Sequence, residues 1–368
     1  MLDESISGHG GNLYAAARGH GGSFADFVDF SANINPLGLS PRVRAALLET
    51  MDSVVCYPDP DAVALKQAIS ACYRLPVECI EAGNGAVELI YLLCRALAPS
   101  RVLLPAPTFG EYEAGARAAG LPVEKLLLPE QENFRLAGEK LSQQLQPKDL
   151  MFLCNPNNPT GTIFDSSQLE PLIARAAEIG AHIVVDESFI DFRPVAAAES
   201  CRGLIARYPG LTVLHSLTKF LAVPGLRLGF LIGQEDLVRR IRTLRDPWNV
   251  NVMAQAAGVA GLADAEYRQA TLDLIQQEKQ QVFAGLQGIV GFRALPPAVN
   301  FVLVDIGGAG WDAARLQAAL WPHKLLIRNC ANFTGLSAKY MRVAVKGPQA
   351  NQRLISIIKK IVCGEDAQ

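Results

Sequence analysis

Apolar positions along this chain fall into two alternating rhythms. Short runs at 101–104, 150–154, 182–185 and 212–215 are apolar almost without interruption, the pattern of strands buried on both faces of a parallel sheet. Alanine-rich stretches such as 169–177 lie between them and read as helices. The alternation predicts an α/β fold, with ligands expected where strands end at their carboxyl termini. Residues 227–233 read as a strand that doubles back, and 236–286 as a mostly helical section. Strands near 301–304 and 340–345, followed by a closing helix from about residue 350, read as a smaller α+β domain. Upstream, Pro41 suits an early helical position with Ser40 as its cap. Glycines at 8, 10, 11, 19, 21 and 22 mark a flexible arm around a short helical piece. The division expected is an arm and substrate-site segment over 1–35, a large domain over 36–255 and a small C-terminal domain over 256–368.

Composition narrows the class. A chain of 368 residues, 50% of them apolar, supports one large core and a smaller one. Its formal charge of -2 gives no general attraction to nucleic acid. The first residues are acidic and lack the basic start and apolar centre of a signal peptide, and no apolar run approaches the length of a membrane span. A cytoplasmic protein is the expectation. The cysteines, scattered from Cys56 to Cys363, form no C-x-x-C pair; no metal site is expected, and Cys72, Cys94 and Cys154 read as small core residues.

Candidate chemistry gathers at the predicted strand ends. After the run ending at His215 come Ser216-Leu217-Thr218-Lys219, then Pro224-Gly225-Leu226-Arg227. Such a layout suits a lysine held as an imine on an aldehyde cofactor, with hydroxyls and an arginine around an anion. Gly83-Asn84-Gly85-Ala86 precedes an apolar helix, where free backbone N–H groups form an anion cradle. The stretch matches neither G-x-G-x-x-G nor a Walker A loop. Phe109 offers a ring after one strand, or a core side chain. Asn158 offers an amide on a proline-flanked turn, or a turn cap. Asp186, at the end of a buried strand, needs a cation or donors; a protonated ring nitrogen fits, and so does a helix cap or a structural arginine.

Taken together, these spaced motifs resemble the aspartate-aminotransferase-like superfamily of pyridoxal-phosphate enzymes, fold type I, along nearly the whole chain. The resemblance implies a large domain with a mostly parallel seven-stranded sheet, a smaller α+β domain, and pyridoxal 5′-phosphate as cofactor. It implies Lys219 as the covalent anchor and Asp186 as partner of the pyridine nitrogen, with Asn158 at the phenolic oxygen and Phe109 stacked on the ring. Gly85, Ala86, Ser216, Thr218 and Arg227 are implied to hold the cofactor phosphate, with Tyr57 reaching it from the partner subunit of a homodimer.

Many relatives carry a tyrosine three residues beyond the strand-end aspartate; here that position is Phe189. With the segments 9–12, 30–38, 186–192 and 327–333, Phe189 makes the chain look closer to the threonine-phosphate decarboxylase branch than to the histidinol-phosphate aminotransferase branch. The first branch implies decarboxylation of L-threonine O-3-phosphate, with His9, Asn33, Asn158, Arg328 and Arg342 around the substrate. The second implies transamination with 2-oxoglutarate. A non-catalytic module that retained the fold is the remaining class, and the presence of both Lys219 and Asp186 argues against it.

Overall fold

The computed structural model describes residues 10–135 and 138–364. Its principal sheet has seven strands, in the order Ile80–Asn84, Leu228–Ile232, Leu211–Ser216, His182–Asp186, Asp149–Cys154, Arg101–Ala106 and Val123–Leu127. The last five pair in parallel, whereas Leu228–Ile232 runs antiparallel to both of its neighbours. Successive residues of a strand face opposite sides, so a sheet covered on both faces needs uninterrupted apolar strands. Met151 and Leu153 enter one core, and Leu150 and Phe152 the other. The apolar runs legible in the sequence have this cause.

Local signals set the helices around the sheet. Pro41–Thr50 begins with proline in its first turn, and the Ser40 hydroxyl accepts the Val43 N–H at 3.1 Å. Ser166–Ile179 opens on a reciprocal cap between Asp165 and Gln168 and stops at Gly180, whose φ of 74° needs no Cβ. The helical section consists of Glu235–Leu244, Val252–Leu262 and the 23-residue Ala265–Gln287.

A second sheet, antiparallel throughout, orders Arg328–Asn329, Tyr340–Ala344, Phe301–Asp305 and Arg293–Ala294. One face packs on Ala265–Gln287 and Pro348–Cys363 through Val282, Val302, Val343 and Leu354. The chain start joins this half: Val28–Asp29 pairs in parallel with Leu325–Leu326, and Phe30 is fully buried in its core. The strand Ile80–Asn84 ends at the strand-to-helix junction read at Gly83–Ala86, whereas Val123–Leu127 and Leu325–Leu326 were not legible as strands, the first because charge breaks its apolar pattern.

Direction decides what meets what. The parallel strands deliver Phe109, Asn158, Asp186 and Lys219 to one edge, where each strand ends. The antiparallel Leu228–Ile232 starts at that edge, so Arg227 arrives there from the other direction.

Candidate active site

Lys219 lies in the one-turn helix Leu217–Phe220 that follows strand Leu211–Ser216. Its Nζ donates to Ser216 Oγ at 3.0 Å and sits 5.8 Å from the centre of the Phe189 ring. Burial lowers the amine pKa, Asp186 opposes that shift and Arg227 adds to it. A lysine amine made less basic by burial suits condensation with an aldehyde.

Asp186 ends its strand buried, at 3% exposure, with both oxygens engaged. Oδ1 accepts the Ser188 N–H at 2.9 Å, and Oδ2 accepts the Tyr112 hydroxyl at 2.7 Å. Tyr112 is fully buried, stacked on Phe152 at 4.9 Å and met edge-on by Phe109 at 5.6 Å. Its pKa is well above the ordinary phenol value, first through burial and then through Asp186, so the hydroxyl stays a donor. Tyr112 thus ties the Phe109 turn to the carboxylate, and sequence reading missed it. The signal was available: at i and i+3 around a helix start, Phe109 and Tyr112 share a side.

The anion cradle is assembled from three elements. Ser216 Oγ and Thr218 Oγ1 lie 2.8 Å apart. Gly85 begins helix Gly85–Leu97 with φ of 76°, and a Cβ built on it would stand 2.5 Å from Arg227 Nη2. Arg227 is itself in the left-handed region, at φ 62°. At Gly229, opposite Ser216 in the ladder, a Cβ would stand 2.6 Å from the Ala86 nitrogen. Backbone N–H groups, two hydroxyls and a guanidinium therefore converge where side-chain bulk has been excluded, a fit to a phosphate monoester.

A cavity of about 580 Å³ opens above this floor and is lined by Asn33, Phe109, Asn158, Phe189, Lys219, Arg227, Arg328 and Arg342 among others. Its far wall holds the two arginines. Register pairs Arg328 directly with Arg342 on neighbouring antiparallel strands, and both are buried. Like charges set opposite on a sheet oppose each other unless an anion lies between them. Burial lowers both pKa values, that of Arg342 to about 10. Arg328 Nη2 donates to Asn332 Oδ1 at 2.7 Å, and its guanidinium lies 5.2 Å from the centre of the Phe333 ring. Arg342 donates to Asn158 Oδ1 and, at 2.8 Å, to the Ser31 carbonyl. Arg342 Nε and Asn33 Oδ1 are buried with no hydrogen-bond partner among the described residues.

Of the expected substrate contacts, His9 lies outside the described residues. Tyr57 is 78% exposed, stacked on Trp248 at 4.4 Å, and takes no part in the cavity of its own chain. Around it Leu48, Met51, Val54 and Val55 are exposed as well.

The model of the aminotransferase class I and II family matches residues 25–358. The chain is 35% identical over 362 residues to the threonine-phosphate decarboxylase of Salmonella typhimurium, covering 97% of each. It is 33% identical over 343 residues to the histidinol-phosphate aminotransferase of Symbiobacterium thermophilum, covering 91% of this chain and 90% of that one. The crystal structure of histidinol-phosphate aminotransferase from Sinorhizobium meliloti, in complex with pyridoxal 5′-phosphate, superposes with a TM-score of 0.84 at 20% identity, covering 96% and 95% of the two chains.

Proposed function

This chain belongs to the aminotransferase class I and II family of fold type I enzymes, whose cofactor is pyridoxal 5′-phosphate, and from that premise we propose that it decarboxylates L-threonine O-3-phosphate. The products are (R)-1-amino-2-propanol O-2-phosphate and carbon dioxide, the amine serving as the aminopropanol linker of cobalamin biosynthesis. The bound cofactor supplies an electron sink that lets a bond at the substrate α-carbon break heterolytically.

The chain's own residues do the rest. Lys219 anchors the cofactor covalently, and Asp186, held by Tyr112 and Ser188 N–H, keeps the ring nitrogen protonated. Asn158 takes the phenolic oxygen and Phe109 the ring face. Ser216, Thr218, Arg227 and the first N–H groups after Asn84 take the cofactor phosphate. Arg342 holds the substrate carboxylate, with Asn33 beside it, and Arg328 holds the substrate phosphate with His9. Lys219 Nζ, held beside Ser216 Oγ, would be the group that returns a proton to the substrate α-carbon. Tyr57 completes the phosphate site of a second copy in a homodimer.

The observation that carries this reading is the Arg328–Arg342 pair. Two buried guanidinium groups set opposite on one wall call for a substrate with two anionic groups, and a phosphorylated amino acid has them. Phe189 supports the choice of reaction, because its ring presents no hydroxyl toward Lys219. The decisive assay incubates the holoenzyme with threonine phosphate and measures carbon dioxide and the phosphorylated amine. Stoichiometric release without any keto acid is expected; absence of both products overturns the proposal.

Histidinol-phosphate transamination is the second reading, favoured by relatives of that activity at nearly equal identity. The same arginines would then take a phosphate and, in turn, the carboxylates of 2-oxoglutarate. Turnover that requires histidinol phosphate together with 2-oxoglutarate selects it.

A further inference from the structure

The N-terminal segment builds the cavity wall beside Arg342. Gly10, Gly11 and Leu13 line it together with Asp29 and Ser31. The Arg342 guanidinium takes its direction from two acceptors, Asn158 Oδ1 and the Ser31 carbonyl. Ser31 is pinned in turn. Its N–H and hydroxyl donate to Asp29 Oδ1 at 2.7 and 2.6 Å, and its Oγ accepts the Gly11 N–H at 2.8 Å.

At Gly10 the approach is closer still. A Cβ there would stand 2.8 Å from the Ser31 carbonyl carbon and 2.9 Å from its Oγ, and nearer again to the carbonyl oxygen that Arg342 uses. Those distances lie inside van der Waals contact, and the obstacle is backbone, which does not swing aside as a side chain does. The segment has little freedom to retreat. Helix Leu13–His20 is fastened by the His20 ring stacked on Trp321 at 3.8 Å and by Lys324 Nζ, which donates to the carbonyls of His20 and Gly21 at 3.4 and 2.9 Å. Bulk added at Gly10 is therefore transmitted to Ser31.

We infer that Gly10 and Gly11 are positioning residues for Arg342: seated on Ser31, they fix the carbonyl that aims the guanidinium, and so couple seating of the N-terminal segment to binding of a substrate carboxylate. The inference rests on the proposal that Arg342 is the carboxylate ligand. The coupling is reciprocal, because a carboxylate that favours the aimed guanidinium favours the seated segment by the same factor.

The test uses holoenzyme and two unreactive probes. One is 3-(phosphooxy)butanoate, which keeps carboxylate and phosphate but has no amine; the other is isopropyl phosphate, which lacks the carboxylate. Calorimetric titration of Gly10→Ala should show affinity for the first reduced about tenfold, the scale of one misdirected charged hydrogen bond, and affinity for the second changed less than about twofold. Ser31→Ala, which removes the acceptor for the Gly11 N–H, should show the same selective loss. Gly19→Ala, where a Cβ meets nothing within 4 Å, should match the wild type on both probes. Arg342→Gln should lose the same discrimination, and adding Gly10→Ala to it should cost nothing more.

Wild-type binding of both probes by Gly10→Ala, or equal weakening of both, overturns the inference. If Arg342→Gln loses the discrimination and Gly10→Ala keeps it, the positioning role alone falls. If Arg342→Gln binds the carboxylate probe as the wild type does, the assignment of Arg342 falls, and the inference with it.

Discussion

Gly85→Ala perturbs the anion cradle without touching a charge. Gly85 sits at φ 76°, where a Cβ costs about 1–2 kcal/mol of backbone strain. The added methyl would lie 2.5 Å from Arg227 Nη2 and 3.1 Å from Cζ, so the flexible guanidinium must move away. Losing the proposed charge-assisted bond to the cofactor phosphate would forfeit about 1.5–3 kcal/mol of cofactor binding, which is about 10- to 150-fold in affinity. The two effects separate experimentally. Thermal or urea unfolding of cofactor-free protein reports the strain, and a fluorescence titration of the same protein with pyridoxal 5′-phosphate reports the lost contact. Arg227→Gln should reproduce the second effect without the first. Gly85→Ala protein that binds the cofactor as tightly as the wild type would refute the placement of Arg227 at the phosphate.

Replacing Lys219 with alanine should abolish the absorbance of lysine-bound cofactor and nearly all turnover; a variant that keeps either has another anchor. Burial raises the Glu187 pKa to about 7, against opposing bonds from Ser200 and the Cys201 N–H. The folded state then binds more protons than the unfolded one between about pH 4.5 and 7, and stability falls across that window as pH rises, by about 3 kcal/mol. Glu187→Gln should flatten the fall, because its amide donates to Ser200 Oγ while its oxygen accepts from Cys201; melting curves at pH 5 and 8 that fall as steeply as the wild type's would contradict this. Phe189→Tyr should raise keto-acid formation relative to carbon dioxide with threonine phosphate, and an unchanged ratio reduces Phe189 to packing against Phe301.

Much of the site was legible because the chemistry is local. Ser216, Thr218 and Lys219 occupy one strand end and the turn after it, and the apolar run before them is the sign that the strand is buried. Gly85 and Ala86 were legible for the same reason, small residues at a strand-to-helix junction. Asp186 was legible as a carboxylate that needs a partner. Tyr112 and Ser31 were not: the spacing that sets Tyr112 on the side of Phe109 does not show what its hydroxyl meets, and within the segment 30–38 nothing local shows what the Ser31 carbonyl meets. Tyr112 matters only because strand Asp149–Cys154 sets Phe152 under its ring and strand His182–Asp186 sets a carboxylate at its hydroxyl. Ser31 matters only because its carbonyl meets a guanidinium 311 positions away in the chain.

By itself, the sequence determined the α/β class, most of the strands and helices along the chain, and the candidate cofactor-directed residues on each turn. Those follow from patterns within a few residues, since burial on two faces and the capping of helix ends are local demands. Tertiary structure alone decided which turns meet. Sheet order put Ser216 beside Gly229 and Gly85 beside Arg227, and the antiparallel sense of one strand brought that arginine to the edge where the others end. Register set Arg328 opposite Arg342. Pairing between distant segments is fixed by the whole packed core, and no single stretch of chain encodes it.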